Sequence, residues 1–474
     1  MGLLGFVAIL LLAYGLSRHR RAIHWRLVVC GLCLQILIAI TVLRMPGGPW
    51  AFQQLGHGIE TLLHYADVGG GFVFGPLVSD PNKMIELFGP AGGFIFAFKL
   101  VPTIVFVAAL ASWAYYIGLL PWVVQRLAWL VDRLMGASGA EALSNSASVF
   151  VGQIEAQLLI KPYVETLTKS ELLSVMSGSM ACIAGGVMAV YIQMGIPASA
   201  MITASLMAIP GALVISKLVW PETEISPTQG NVVVHLEQES LNSIDALARG
   251  AADGLKIGLN VCAMLMAFLA LMALVDGVLG WTGATIAHWL DPLSEYPTWL
   301  GLDWSHLTLA SVLGQVFSPM AWLLGVPSSE APIVGGLMGT KLVTNEFVAY
   351  SQLSPLIRDA AMSAKSITIA SFALCGFANV GSVAMQLGGI GEMAPSRKGD
   401  LARLGLWALL CGSLASYASA ALAGVLMPGP GSWPDGAIAL LAALALGVLV
   451  AVNFIHYRSR WQPKTFKTRL EALK

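Results

Sequence analysis

The sequence predicts an all-α polytopic membrane protein, an inverted-repeat fold of the transporter kind with two opposed re-entrant hairpins and two broken helices. Three observations carry this prediction. Of the 474 residues, 57% are hydrophobic and 11% charged, against about 25% charged in a typical soluble domain, so the bilayer must be the main solvent. Lys and Arg clusters can share one side of a membrane only if two further apolar stretches make no net crossing. Those two stretches are the ones interrupted by polar residues and glycine. A formal net charge of zero points to neither nucleic acid nor an acidic surface as partner.

Apolar stretches near or beyond the ~18 residues that read as a spanning helix include Leu27 to Leu43, Phe94 to Leu119, Leu255 to Val275 and Ala437 to Val452. Candidate spans fall at 2–16, 27–44, 92–118, 170–193, 199–219, 250–278, 366–389, 402–427 and 436–455. The first is followed, not preceded, by Arg18, Arg20 and Arg21, the reverse of a secretory signal, so a retained first helix is expected. Pro121 to Leu134, with Trp122, Leu127 and Leu130 beside Arg126 and Arg133, reads as an interfacial amphipathic helix. Pro221 to Ser243 reads as a cytoplasmic loop, and Gly47 to Pro90 and Trp281 to His306 as periplasmic segments holding several tryptophans.

Four basic clusters should be cytoplasmic: Arg18 to Arg26, Arg126 with Arg133, Arg397 with Lys398 and Arg403, and Arg458 to Arg469. They are so only if Ser138 to Leu159 and Ala331 to Tyr350 enter the membrane and return. The first is broken by Ser144, Asn145, Ser146, Ser148, Gln153 and Glu155, the second by Gly335, Gly336, Gly339, Thr340, Lys341, Asn345 and Glu346. Irregular backbone at that depth is tolerated only where protein or a wet cavity covers it. The N-terminus is then periplasmic and the C-terminus cytoplasmic in a multi-pass protein of the cell inner membrane. Three crossings separate the hairpins, so they enter from opposite sides, the signature of an inverted repeat. Each is followed about thirty residues on by a helix broken near its middle, at Ile183-Ala184-Gly185-Gly186 and at Gly376 to Gly381.

An ionised carboxylate at membrane depth normally faces a cavity, a partner or a substrate. Glu155 and Glu346 are the two singled out, with Lys161 or Lys341 as the partners of a purely structural pair. Gln153, Asn345, Asn379 and Ser382 add groups that both donate and accept. Such a set suits a neutral, polyhydroxylated solute with a heterocycle better than an inorganic ion. Phe377 supplies either a wall for that solute or helix packing, and Lys99 either pairs with a carboxylate or snorkels. The eight histidines form no HExxH pattern, and of the six cysteines only Cys30 and Cys33 have CxxC spacing, inside an apolar span. Without a Walker sequence, a G-x-S-x-G elbow or an aspartate-rich diphosphate motif, an enzyme or an ATP-driven pump lacks its chemistry, and no cofactor is expected.

At these hairpins the chain resembles the concentrative nucleoside transporter family. The resemblance rests on Ser138-Gly139-Ala140-Glu141-Ala142, Val149 to Ala156, Pro221-Glu222-Thr223-Glu224, Gly339 to Tyr350 and Ala373 to Asn379, and runs from about Phe94 to Leu426. It implies a homotrimer whose scaffold holds mobile transport domains working as elevators. On that basis 1–118 is N-terminal scaffold and 119–219 the first transport repeat. Residues 220–280 are a loop and long scaffold helix, 281–427 the second repeat, and 428–474 an extra helix with a basic tail. By the same resemblance Gln153 and Glu155 contact a nucleobase, Glu346, Asn379 and Ser382 the ribose, and Phe377 packs beside the sugar.

Sodium-coupled members of that family place asparagine where this chain has Ser148 and serine where it has Cys182, with backbone carbonyls at Val151 and Ile183. A neutral thiol is a poor ligand for a hard cation, and serine at 148 is similar to proton-coupled bacterial members. Proton symport is therefore expected over sodium symport. Ile154 stands where the family has a small hydroxyl residue, which bears on base preference. A modified nucleoside such as pseudouridine, another polar solute, a passive channel and a membrane enzyme are the competing readings.

Overall fold

The computed structural model describes residues 1–45, 47–88, 95–229, 240–290, 298–299, 302–427 and 434–460. Apart from one two-residue antiparallel pair, β1 (Thr298–Trp299) against β2 (Leu302–Asp303), these residues fold into helices and their connections. Helices dominate because a bilayer core offers no water to backbone amides and carbonyls, which must be satisfied within the segment.

The chain begins with α1 (Gly2–Gly15) and α2 (Trp25–Leu43). Next come α3 (Gly48–Phe74), the short α4 (Pro76–Ser79) and α5 (Pro81–Phe88), and then α6 (Phe96–Tyr116). The expected periplasmic stretch from Gly47 is thus largely helical. Gly47, at φ +86°, and the proline at the start of α3 set its N-terminus. One expectation left open is decided here: Lys99 on α6 pairs with Asp67 on α3 at 3.1 Å.

The first repeat comprises α7 (Leu119–Met135), hairpin 1 with α8 (Gly139–Ala147), α9 (Glu155–Leu158) and α10 (Lys161–Val164), the broken pair α11 (Lys169–Ala181) and α12 (Gly185–Gln193), and α13 (Ala198–Val219). The amphipathic helix expected near 121–134 is α7, but its buried stripe is Val124, Ala128, Val131 and Met135, while Trp122 and Leu130 are exposed. A 48-residue helix, α14 (Ser243–Leu290), follows, longer at both ends than the expected 250–278. The second repeat mirrors the first: α15 (Leu309–Leu324), hairpin 2 with α16 (Ala331–Val343) and α17 (Glu346–Arg358), the broken pair α18 (Ala364–Leu374) and α19 (Val380–Met393), and α20 (Lys398–Leu426). The first helices of both repeats, α7 and α15, stop at a left-handed glycine, Gly136 (φ +73°) and Gly325 (φ +107°). Last comes α21 (Asp435–Arg460); residues 461–474, most of the expected basic tail, lie outside the described residues.

Among the described residues, seven helices are long and apolar enough to cross a bilayer. With α1 and the α18–α19 pair they account for the nine spans expected from sequence. The hydrophobic core lies among the hairpins and α11, α13, α18 and α20. Of the most apolar window of α20, 89% is buried, against 11% for α14, so α14 is a peripheral element. It packs on α6 through Gly250, Gly254 and Gly258, where an added Cβ at Gly250 would lie 2.7 Å from the Ala108 carbonyl oxygen. Small residues are how membrane helices approach closely. On the other flank α21 lies against α2, and Arg26 bridges them by donating to Asn453 Oδ1 (3.0 Å) and to the Arg133 carbonyl at the end of α7 (3.2 Å).

The loop after α13, expected as a cytoplasmic loop, packs its first residues against the base of hairpin 1 and α11. Ser138 and Glu141 form a capping box on α8, and Thr168 and Glu171 form another on α11. Between them sits Lys217, its ammonium 2.6 Å from Glu141 Oε1, 3.3 Å from Glu222 Oε2 and donating to Ser170 Oγ at 2.9 Å. Glu222 also accepts from Thr168 Oγ1 (2.8 Å), and Glu171 from Thr228 Oγ1 (2.9 Å) and Ser226 Oγ. One buried ammonium thus joins the base of hairpin 1 to α11, α13 and the loop. Removing one member of a buried ion pair costs about 3–5 kcal/mol. Lys217→Met is therefore expected to lower the unfolding temperature of the detergent-solubilised protein strongly; an unchanged transition would show that the cluster contributes nothing to stability.

Candidate functional site

Each hairpin tip meets a helix break. The Gly185 N–H donates to the Phe150 carbonyl (3.3 Å), which places the tip of hairpin 1 against the gap between α11 and α12. The gap between α18 and α19 crosses the first. At Gly376 (φ +118°) a Cβ would lie 2.6 Å from the Met180 carbonyl oxygen and 2.7 Å from that of Ala181. Only glycine combines that backbone conformation with so close an approach.

The second break supplies a connected polar group. Asn379 caps α19, its Oδ1 accepting from the Ser382 N–H (2.8 Å), while its Nδ2 donates to Glu346 Oε2 (3.1 Å). Glu346 lies in the first turn of α17, behind the cap made by Asn345 Oδ1 on the Val348 N–H (2.9 Å). Tyr191 on α12 donates its hydroxyl to Glu346 Oε1 (3.1 Å). Glu346 is 5% exposed, so its carboxyl group is met by these donors and by a helix N-terminus more than by water. Lys341, one of the proposed structural partners, forms no ion pair with it; its ammonium donates to the Ala373 (3.0 Å) and Cys375 (3.5 Å) carbonyls.

Hairpin 1 reaches the same place. Gln153 Nε2 donates to Ser382 Oγ (3.5 Å) and contacts Met385 Sδ, and Gln157 Nε2 donates to the Gln153 carbonyl (3.3 Å). Glu155 is exposed, its carboxylate folded back over Gly152, and no hydrogen bond or ion pair joins it to Lys161 or to another described side chain. Gln153 Oε1 and Asn345 Nδ2 are buried without a protein partner. A buried unpaired acceptor and donor beside an open carboxylate are groups that a polar ligand would satisfy. Phe377 is half-buried against the core, in the break itself.

The residues expected around a coupling ion fall on the two facing segments. Ser148 and Val151 are on the tip of hairpin 1, and Cys182 and Ile183 are in the first break, both fully buried. The Ser148 hydroxyl donates back to the Ser144 carbonyl (2.8 Å) and the Val151 N–H to that of Ala147 (3.0 Å). Sequence reasoning missed Tyr191 and Gln386, which ties α19 to α11 by donating to Ser179 Oγ (2.9 Å). A tyrosine inside an apolar span was the available signal, because its buried hydroxyl requires a partner.

Comparison with known proteins places the chain among transporters. Family profiles described as "Na+ dependent nucleoside transporter" N-terminus and C-terminus match residues 4–77 and 200–424, and one described as "Nucleoside recognition" matches 97–198. An uncharacterized transporter of Haemophilus influenzae is 40% identical over 427 residues, covering 89% of this chain and 96% of its own. The rat "Sodium/nucleoside cotransporter 2" is 37% identical over 445 residues, covering 91% of this chain; the chain spans 63% of that longer relative. The structure of CNTnw in an inward-facing substrate-bound state superposes with a TM-score of 0.82 at 41% identity, over 90% of this chain and 97% of that one.

The crossing of the breaks is testable by itself. Gly376→Ala is expected to destabilise the protein by about 1–3 kcal/mol or more through backbone strain. Gly186→Ala, whose new methyl would meet only Val107 Cγ1 at 3.8 Å, is expected to be tolerated. Thermal unfolding in detergent compares them, and equal stability of the two variants would contradict the close crossing.

Proposed function

We infer the function from one premise: the chain belongs to the Na+-dependent, concentrative nucleoside transporter family, and it is a transporter, not an enzyme. The finer reading proposed is nucleoside uptake by symport across the inner membrane, with protons favoured over sodium as the coupling ion. A carrier for a modified nucleoside such as pseudouridine is a narrower version of the same reading. The proposed assembly is a homotrimer with a periplasmic N-terminus and a cytoplasmic C-terminus. In it, 119–219 and 281–427 move, while 1–118 and 220–280 stay as scaffold.

The observation that carries the substrate reading is Glu346. A carboxylate offers about four lone-pair directions, and Tyr191 and Asn379 occupy one on each oxygen. Two remain for adjacent hydroxyls such as the 2′ and 3′ groups of ribose, with Ser382 alongside. Gln153 and Glu155, on the opposing hairpin, have acceptors free for the base, and Phe377 has a face for the sugar. The proton reading is supported by the donor set at the first break. Ser148, Cys182 and the Val151 and Ile183 carbonyls include a thiol where a hard cation favours oxygen.

Two measurements check this. In inverted or reconstituted vesicles with sodium, proton and electrical gradients varied independently, uridine uptake should follow an inward proton gradient and be indifferent to sodium. Uptake driven by sodium alone contradicts the coupling, and no gradient-driven uptake of uridine, cytidine, adenosine or pseudouridine contradicts the function. Tyr191→Phe, which leaves the buried carboxylate short of a donor, is expected to weaken nucleoside affinity roughly tenfold; unchanged affinity would remove Tyr191 from the site.

A further inference from the structure

A half-helix that ends inside the membrane presents carbonyls with no intrahelical donor and the negative end of the helix dipole. The two broken helices each supply such an end, at Ala181 of α11 and Leu374 of α18. They are met differently. At α18 the Ser371 carbonyl accepts from the Tyr350 hydroxyl (2.8 Å) and that of Phe372 from the Cys375 N–H (3.1 Å). The Ala373 and Cys375 carbonyls accept from the ammonium of Lys341 at 3.0 and 3.5 Å, and Ser416 Oγ donates to Cys375 as well (2.7 Å). Lys341 is 1% exposed and among the largest fully buried side chains. It comes from α16 of hairpin 2, across from the break, and no carboxylate lies within ion-pair distance among the described residues. At α11 the side chains of the corresponding segments, Ser148 on hairpin 1 and Cys182 in the break, are neutral.

From this contrast between the repeats, we propose that the Lys341 ammonium is a tethered cation that occupies, in the second repeat, the kind of site that the proposed exchangeable ion occupies in the first. Both sites lie between a hairpin and the carbonyls of a broken helix. In the second the cation is covalently attached and stays with hairpin 2 through every transport cycle. In the first, no basic side chain among the described residues donates to the α11 carbonyls, so any charge bound there is not tethered. Coupling is thereby confined to one repeat, and the half-site that carries Glu346 keeps a compensating positive charge whether or not substrate is bound. The inference rests on the transporter reading above for its consequence, but the site itself is defined by the carbonyls and the ammonium alone.

The test is chemical rescue. Lys341→Ala removes the atoms from Cγ to Nζ, the size of n-propylammonium, and leaves a cavity ending at the Ala373 carbonyl. Lys341→Met removes the charge but fills most of the volume. Purified variants are assayed for thermal unfolding without substrate and for uridine binding. n-Propylammonium is compared with tetramethylammonium, which has no N–H, at equal ionic strength. The proposal expects Lys341→Ala to lose about tenfold or more in uridine affinity, on the scale of a favourably placed charge at a helix C-terminus. n-Propylammonium alone should restore affinity and raise the unfolding temperature, with no such effect on Lys341→Met or the unaltered protein. Uridine affinity of Lys341→Met within twofold of the unaltered protein overturns the proposal. So does absence of a selective propylammonium effect on Lys341→Ala. If neither neutral variant folds even with propylammonium present throughout purification, charge is inseparable from packing and the proposal also fails. Failure of the unaltered protein to bind any nucleoside would count against the function reading instead, while the unfolding arm would still decide the site.

Discussion

A helix that stops halfway through a bilayer leaves amides and carbonyls that water cannot reach, and the centre of this protein is organised around satisfying them. The N-terminus of α19 is capped by Asn379 and that of α17 by Asn345. The C-terminus of α18 is met by Tyr350 and Lys341. The glycine at 376 lets one break lie directly on the carbonyls of the other. These are structural necessities first. They make a candidate site because capping residues at membrane depth are polar side chains gathered where two helices unwind, with a carboxyl group in the first turn of α17 beside them.

The two ends of the first hairpin differ in how firmly they are held. Its base is fixed by Lys217, Glu141 and Glu222 in a largely buried cluster shared with α11 and α13. Its tip is joined to the second repeat by the longer Gln153 to Ser382 contact (3.5 Å) and keeps an exposed Glu155. The long peripheral pair α6 and α14, packed through glycines and otherwise exposed, is separate from the core. Such a division suits an elevator, in which a compact body moves against a frame.

Much of this was legible in the sequence because the physics that shapes it is composition-dependent. Polar interruptions in apolar runs located both hairpins, and the positive-inside rule fixed that they do not cross. Glu346 and Asn379 stood out because charge and amide are rare at that depth. Their meeting at 3.1 Å is as the chemistry suggested. Other features depend on tertiary contact that no local pattern encodes. Tyr191 reads as one more apolar-span residue until its hydroxyl is found on Glu346. Lys217 and Glu222 lie five residues apart across a helix end, and nothing local says that Glu141 closes the cluster from 76 positions upstream. Lys99 could not be assigned because its partner, Asp67, sits on a helix whose weak hydropathy gave no span. The Lys341 alternative failed for a physical reason: carbonyls at the end of α18 compete for its ammonium.

The central claim is that Glu346 holds the ribose of a nucleoside, and a combined protein and ligand cycle tests it most directly. Uridine, 2′-deoxyuridine and 3′-deoxyuridine are titrated into the purified protein and into Glu346→Gln, and the effect of losing each hydroxyl is compared between them. The account predicts that at least one deoxy form is penalised in the unaltered protein and much less in Glu346→Gln, with a coupling of at least about 0.5 kcal/mol. Strictly additive losses for both hydroxyls would mean that Glu346 and the ribose do not touch, and would contradict it.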